Sequence, residues 1–325
     1  MRISTKDWKN YIDRLSKLNK MAANKMQEYV QKNGFSDTNA LIDYAYALVT
    51  KYGEGSAELA CQMYDAIAEM SGVFVPSAVP AKTATYQETA RAVQGSLLQS
   101  ETGQKLSQVA DRLVKQAGAD TMLKNAKRDG AEWAWVPMGD TCSFCITLAS
   151  RGWQRASNKT LKGDHAQHIH ANCDCQFAIR FDGKSSVEGY DPDKYLRIYD
   201  SMSGISSKDK INSLRRMLNG KSPLTLDQID FIIKLENDSK ILGQKSPEEW
   251  KKFLDNLGFE TKPLGIGSLK GIRFEDGGGF RINYRGDGYF QYHPPGTHHG
   301  NAYYKRSSAK DGIKRFNLDG SDKND

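Results

Sequence analysis

Long apolar runs are missing from this 325-residue chain. No stretch approaches the roughly 20 consecutive apolar residues a membrane-spanning helix needs, and the longest weakly polar segment, Val73 to Ala81, carries Pro76 and Pro80 and is expected to be a loop. No secretory leader is expected either, because Met1 to Lys20 is charged and amphipathic, so the thiols are expected to stay reduced. No Gly-Lys-Ser or Gly-Lys-Thr follows the run Gly277, Gly278, Gly279, which therefore predicts a turn and not a phosphate loop. Nor is there a basic tail: 46 Lys and Arg stand against 39 Asp and Glu, and the net charge of +7 is spread along the chain. That balance favours a polyanionic neighbour without locating its site. A hydrophobic content of 38% with a mean hydropathy of −0.64 fits a polar chain of two or three domains, each able to bury a core.

Cysteine is scarce, and four of the five are concentrated. Cys142 and Cys145 form C-x2-C, and His170, Cys173 and Cys175 form H-x2-C-x-C. Thiolates two residues apart can turn to one ion, and a second cluster closes a tetrahedral sulfur and nitrogen set, so a structural zinc site is expected. Five ligands are offered where zinc takes four, and His165 or His168 can also substitute. Two disulfides, leaving Cys61 alone, and a C-x2-C redox pair are the rival explanations. Asp140 and Asp164 lack the spacing of a catalytic base.

Residues 1–129 are helical by periodicity. Trp8, Tyr11, Ile12, Leu15, Leu18, Met26 and Tyr29 recur at three- and four-residue steps on a first helix that Gly34 ends. Ser36 or Asp37 caps a second helix carrying Leu41, Ala45 and Leu48, expected to close at Gly53; Leu59, Met63 and Ile67 mark a third. Two more are expected over Tyr86 to Leu98 and Leu106 to Leu123. Residues 130–183 change texture: Glu132 to Met138 and Cys175 to Phe181 alternate like strands beside the two halves of the Cys/His motif. Residues 184–243 predict short connecting helices, with Asn219 to Pro223 and Gly243 to Pro247 as breaks. From 244 to 325 a helix capped at Ser246 precedes glycine-rich strands, with turns at Gly277 to Gly279 and at Gly286, Asp287, Gly288 that fit two hairpins. The fold class expected is α+β and multidomain: a mainly helical N-terminal region, a small zinc-stapled strand module, and a C-terminal domain of helix plus antiparallel sheet.

The segment Met138-Gly139-Asp140-Thr141-Cys142-Ser143-Phe144-Cys145, with Leu148, Trp153 and then His170-Ala171-Asn172-Cys173-Asp174-Cys175, resembles the minor capsid or head morphogenesis proteins of tailed bacteriophages, the MuF type. Ala171 and Asp174 depart from that family's His-Pro-Asn-Cys-Arg-Cys, sparing the ligands but removing a basic residue. The resemblance implies a protein made in the host bacterial cytoplasm and carried in the virion, with the portal, other capsid proteins and phage DNA as partners. The tail is similar to small ribonuclease toxins of the barnase, EndoU and colicin type through His293, His298-His299-Gly300, Asn301, Tyr303-Tyr304-Lys305, Ser307-Ser308 and Lys314-Arg315.

Metal-independent RNA cleavage needs a base for the 2′-hydroxyl, an acid for the 5′ oxygen and cations for the phosphorane. His298 and His299 suit the proton roles; Lys305, Arg306 and Arg315 suit the charge, with Ser307 or Ser308 donating to phosphate and Tyr303 and Tyr304 stacking a base. Cellular RNA is then the substrate. Solvated turn histidines and hairpin surface cations are the plainer alternative. Rival readings are a host-encoded polymorphic ribonuclease toxin and a purely structural virion protein with an inactive nucleic-acid-binding tail.

Overall fold

The computed structural model describes residues 2–99, 103, 105–138, 141–157, 175–202, 206–219, 224–284, 288–296, 300–308 and 311–323. The chain divides into two compact units, residues 1–195 and 196–325. The second unit therefore takes in most of the segment expected as a connector.

The first unit opens with a short strand β1 (Arg2–Ile3) and helix α1 (Thr5–Asn33). Ser4 caps α1, its hydroxyl accepting from the Asp7 amide, and Gly34 at φ 74° ends it where a β-carbon would be strained. Helix α2 (Thr38–Met70) follows from the Asp37 cap and does not stop at Gly53. The expected second and third helices are one, because Gly53 serves packing: a β-carbon there would meet Thr83 Cγ2 at 2.7 Å. Helix α3 (Tyr86–Leu98) starts from a reciprocal capping box between Thr85 and Glu88, and α4 (Lys105–Arg128) completes the bundle. Leu41, Val49, Val93, Leu106 and Val114 share its core with Met26 of α1.

The loop before α3 is held by side chains. Asn125 accepts from the Val79 amide and donates to the Val79 carbonyl, both at 2.9 Å, while Asp65 accepts from Ala78 and Thr121 from Ala81. The two prolines predicted irregularity correctly, and the side-chain bonds satisfy a backbone that has no ladder.

Strand β2 (Glu132–Val136) is the centre of a three-stranded antiparallel sheet between β3 (Gln154–Arg155) and β4 (Gln176–Arg180), with helix α5 (Ser143–Ala149) packed on it. Trp135 pairs with Phe177 and Trp133 with Ile179; the Phe177 ring meets both indoles edge-on, at 4.8 and 5.0 Å between centroids. The two strands flanking the cysteine motif thus pair as expected. Strand β5 (Ser186–Val187) pairs in parallel with β1.

Helix α6 (Pro192–Asp200) spans the division between the units. The second unit continues with α7 (Ser207–Leu218), α8 (Leu226–Asn237) and α9 (Pro247–Asn256), whose Ser246–Glu249 capping box and first-turn proline match the sequence expectation. Its sheet runs β10 (Gly312–Phe316), β9 (Tyr303–Ser308), β8 (Gly288–His293), β7 (Phe280–Tyr284), β6 (Lys262–Pro263), all antiparallel. Of the two hairpins expected, β7–β8 forms. The other does not: Phe274–Asp276 is a single 3-10 turn, and β7 instead borders β6. Phe231 and Leu235 of α8 and Trp250 and Leu254 of α9 pack with Phe280, Ile282, Phe290, Tyr292, Tyr304 and Phe316 from one face of the sheet. Gly243, expected in a linker, lies against the Asp319 carbonyl in this unit.

Candidate functional site

Side chains alternate across a strand, and directly paired residues share a face. With Phe280, Phe290, Tyr304 and Phe316 on the core side, the register puts Arg281, Gln291, Lys305 and Arg315 in one row across four strands on the other side. Beside it runs the row Asn283, Tyr289, Ser307, Ile313, and His293 pairs with Tyr303. Lys305, Ser307 and Arg315, predicted as site residues, therefore share one face. His298 and His299, the predicted acid and base, lie outside the described residues.

Contacts on this face link cation to ring. The Arg281 guanidinium lies 4.3 Å from the Tyr289 ring centre and the Lys305 ammonium 5.7 Å from the same ring, while Arg281 Nε donates to Asn283 Oδ1 at 2.7 Å. The His293 imidazole stacks on Tyr303 at 4.5 Å with an interplanar angle of 5°. His293 Nε2 is 3.1 Å from Gln291 Oε1, the amide oxygen that accepts when Nε2 carries a proton, and Lys323 reaches within 5.9 Å of the Tyr303 ring centre. Cations, the Tyr289 ring and the His293 imidazole thus occupy one face, with Tyr303 (4% exposed) and Gln291 (5%) buried within it, an arrangement suited to a phosphate backbone with an unpaired base.

Arg306, Ser308 and Tyr304 do not belong to it. Arg306 is only 2% exposed, donates to the Leu235 carbonyl at 2.6 Å and pairs with Asp311, which also accepts from Ser308. Burial would raise the Asp311 carboxyl, but hydrogen bonds from Ser308 and Lys314 and the Arg306 charge outweigh it and hold it below the ordinary range. Tyr304 stacks on Phe290 in the core, and burial pushes its hydroxyl well above the usual tyrosine range. Arg281, Tyr289 and Gln291 were missed as site residues, and His293 was named only for the resemblance, without a catalytic role. Their signal was the odd-numbered alternation through 289, 291 and 293 opposite 303, 305 and 307, legible only once the register is known.

In the first unit, Cys142 caps α5. Its sulfur accepts from the Cys145 amide, and its thiol donates to Cys145 Sγ at 3.4 Å, a separation too long for a disulfide. No disulfide joins any two of the described cysteines Cys61, Cys142, Cys145 and Cys175. Cys175 immediately precedes β4, whose first residue Gln176 pairs with Val136, the last of β2, so the third thiol enters at the sheet end from which the chain leaves for Cys142. Among the described residues no group of three or more His, Cys, Asp or Glu forms a metal site. His170 and Cys173 fall outside those residues. Cys61 lies elsewhere, on α2, its thiol pushed up to about 11 by burial and by Glu58 and Asp65.

No helix among the described residues is long and apolar enough to cross a membrane. Residues 2–202 match the family model described as VG15 protein, a span that includes the thiol pair and ends before the C-terminal sheet. No curated protein and no solved structure matches the chain.

Proposed function

The chain belongs to the VG15 protein family, a family of viral genes, and from that premise we propose that it is a phage virion-associated protein of the MuF type with an RNA-cleaving C-terminal unit. The family match and the motif from Met138 to Cys175 support the first part. One observation carries the second: the row Arg281, Gln291, Lys305, Arg315 beside the His293–Tyr303 stack.

A neutral histidine takes the 2′-hydroxyl proton as O2′ attacks phosphorus. The bond to O5′ breaks, a protonated histidine gives O5′ its proton, and the products are a 2′,3′-cyclic phosphate and a 5′-hydroxyl. Lys305 and Arg315 hold the phosphate oxygens that gain charge, Ser307 donates to them, and Tyr289 stacks a base. His293 is a proton-transfer candidate, with His298 and His299 in the segment joining β8 to β9. Zinc, bound by four of Cys142, Cys145, His170, Cys173 and Cys175, would staple β4 to the start of α5 and take no part in this chemistry.

The purified full-length protein is expected to cut total RNA in EDTA, leaving cyclic phosphate ends. Lys305→Ala and Arg315→Ala should each slow cutting by about 100-fold while the fold stays intact by circular dichroism. RNA that binds but is never cut would leave the inactive-tail reading in place. Mass spectrometry of purified particles tests the virion assignment, which fails if the chain is absent from them.

A further inference from the structure

A cavity of about 370 Å³ lies between α3 and α4. Arg91 and Ser96 reach it from α3, and Lys105, Gln108 and Arg112 from α4, the last three at helical spacing on one face. Gly95 also lines it and leaves the room a side chain would fill, with nothing described within 4 Å of a β-carbon.

Three cations face this space, and none of them forms an ion pair among the described residues. Lys105 donates to the Gln99 carbonyl at 3.3 Å. The carboxylate beside them, Glu88, accepts from the Thr85 amide and hydroxyl at 2.8 and 2.9 Å in capping α3, and the Arg91 charge also helps to hold it below the ordinary range, whereas Arg112 has no such partner among the described residues. Burial lowers the Arg112 guanidinium from its ordinary value with no opposing charge to restore it. A partly desolvated charge without a counter-ion costs free energy, and an oxyanion in the cavity removes that cost.

We infer that this cavity binds a phosphate group, gripped by Arg112 and Arg91, with Lys105 completing the donor set. Planar guanidinium forks match the geometry of phosphate oxygens better than an ammonium does. A free phosphate and the phosphodiester of DNA present the same chemistry. The site is independent of the C-terminal sheet and of any activity there.

The test uses the full-length protein, melted in sodium chloride and in inorganic phosphate at matched ionic strength, with anisotropy of a labelled 20-base-pair DNA duplex as a second arm. Phosphate at 20 mM is expected to raise the melting temperature of the first unit by about 2–5 °C over chloride. Arg112→Met should abolish that response yet melt no lower than wild type in chloride, since it removes a desolvated charge. Arg91→Gln, on an exposed position, should shrink the response. Weaker duplex binding in Arg112→Met identifies DNA as the source; unchanged duplex binding with a lost phosphate response identifies a free phosphate. Equal melting in the two salts, or a phosphate response that survives in Arg112→Met and in Arg91→Gln, overturns the proposal.

Discussion

Lys305 and Arg306 are neighbours in sequence and opposite in role. On β9 successive side chains point to opposite faces, so Lys305 joins the basic row while Arg306 turns into the core and pairs with Asp311. Removing one partner of a buried pair strands the other charge, so Asp311→Ala should cost the second unit about 3 kcal/mol at pH 7. Adding Arg306→Met should recover part of it. Because the folded Asp311 carboxyl titrates below its ordinary 3.8, its contribution is fully present above that value and fades as pH falls through the lower folded one. Urea titrations at pH 7 and pH 2.5 should therefore show the gap between wild type and Asp311→Ala narrowing in acid. A gap that stays constant would mean the pair contributes nothing through its charge.

At the scale of elements, α2 and α4 approach through small residues. A β-carbon on Gly118 would sit 2.7 Å from Ser56 Oγ and 3.2 Å from the Ser56 carbonyl oxygen. Gly118→Val should destabilise the first unit by about 1–3 kcal/mol although valine is the better helix former. Gly95→Ala, in the middle of α3 with nothing described within 4 Å, should stabilise it by about 0.5–1 kcal/mol. Paired urea denaturation curves check the signs, and equal signs would sink the packing account. The same reasoning explains why Gly53 misled. Glycine weakens a helix by about 1 kcal/mol, which the contacts of a 33-residue helix readily override, and nothing local distinguishes a glycine that ends a helix from one that admits a neighbour. Gly34 was legible because the apolar periodicity stops there.

For the whole molecule, two units with separate cores should melt as two transitions in calorimetry. The zinc proposed beside α5 belongs to the first unit, so a strong chelator should lower that transition and spare the other, and Cys142→Ser should mimic the chelator. A chelator without effect on either transition would remove the staple.

Local physics was enough for much of this chain. Helical periodicity, the caps at Thr85 and Ser246, the strands on either side of the cysteine motif and the charge near the C-terminus all depend on residues within a few positions of one another. Tertiary structure alone decided which of those charges act together. Arg281, Gln291, Lys305 and Arg315 become neighbours only through strand register, and Arg91, Ser96 and Arg112 meet only where α3 packs on α4. The reason is the same in both cases: a one-residue slip of register, or a different helix crossing, leaves every local preference satisfied while turning these side chains away from one another.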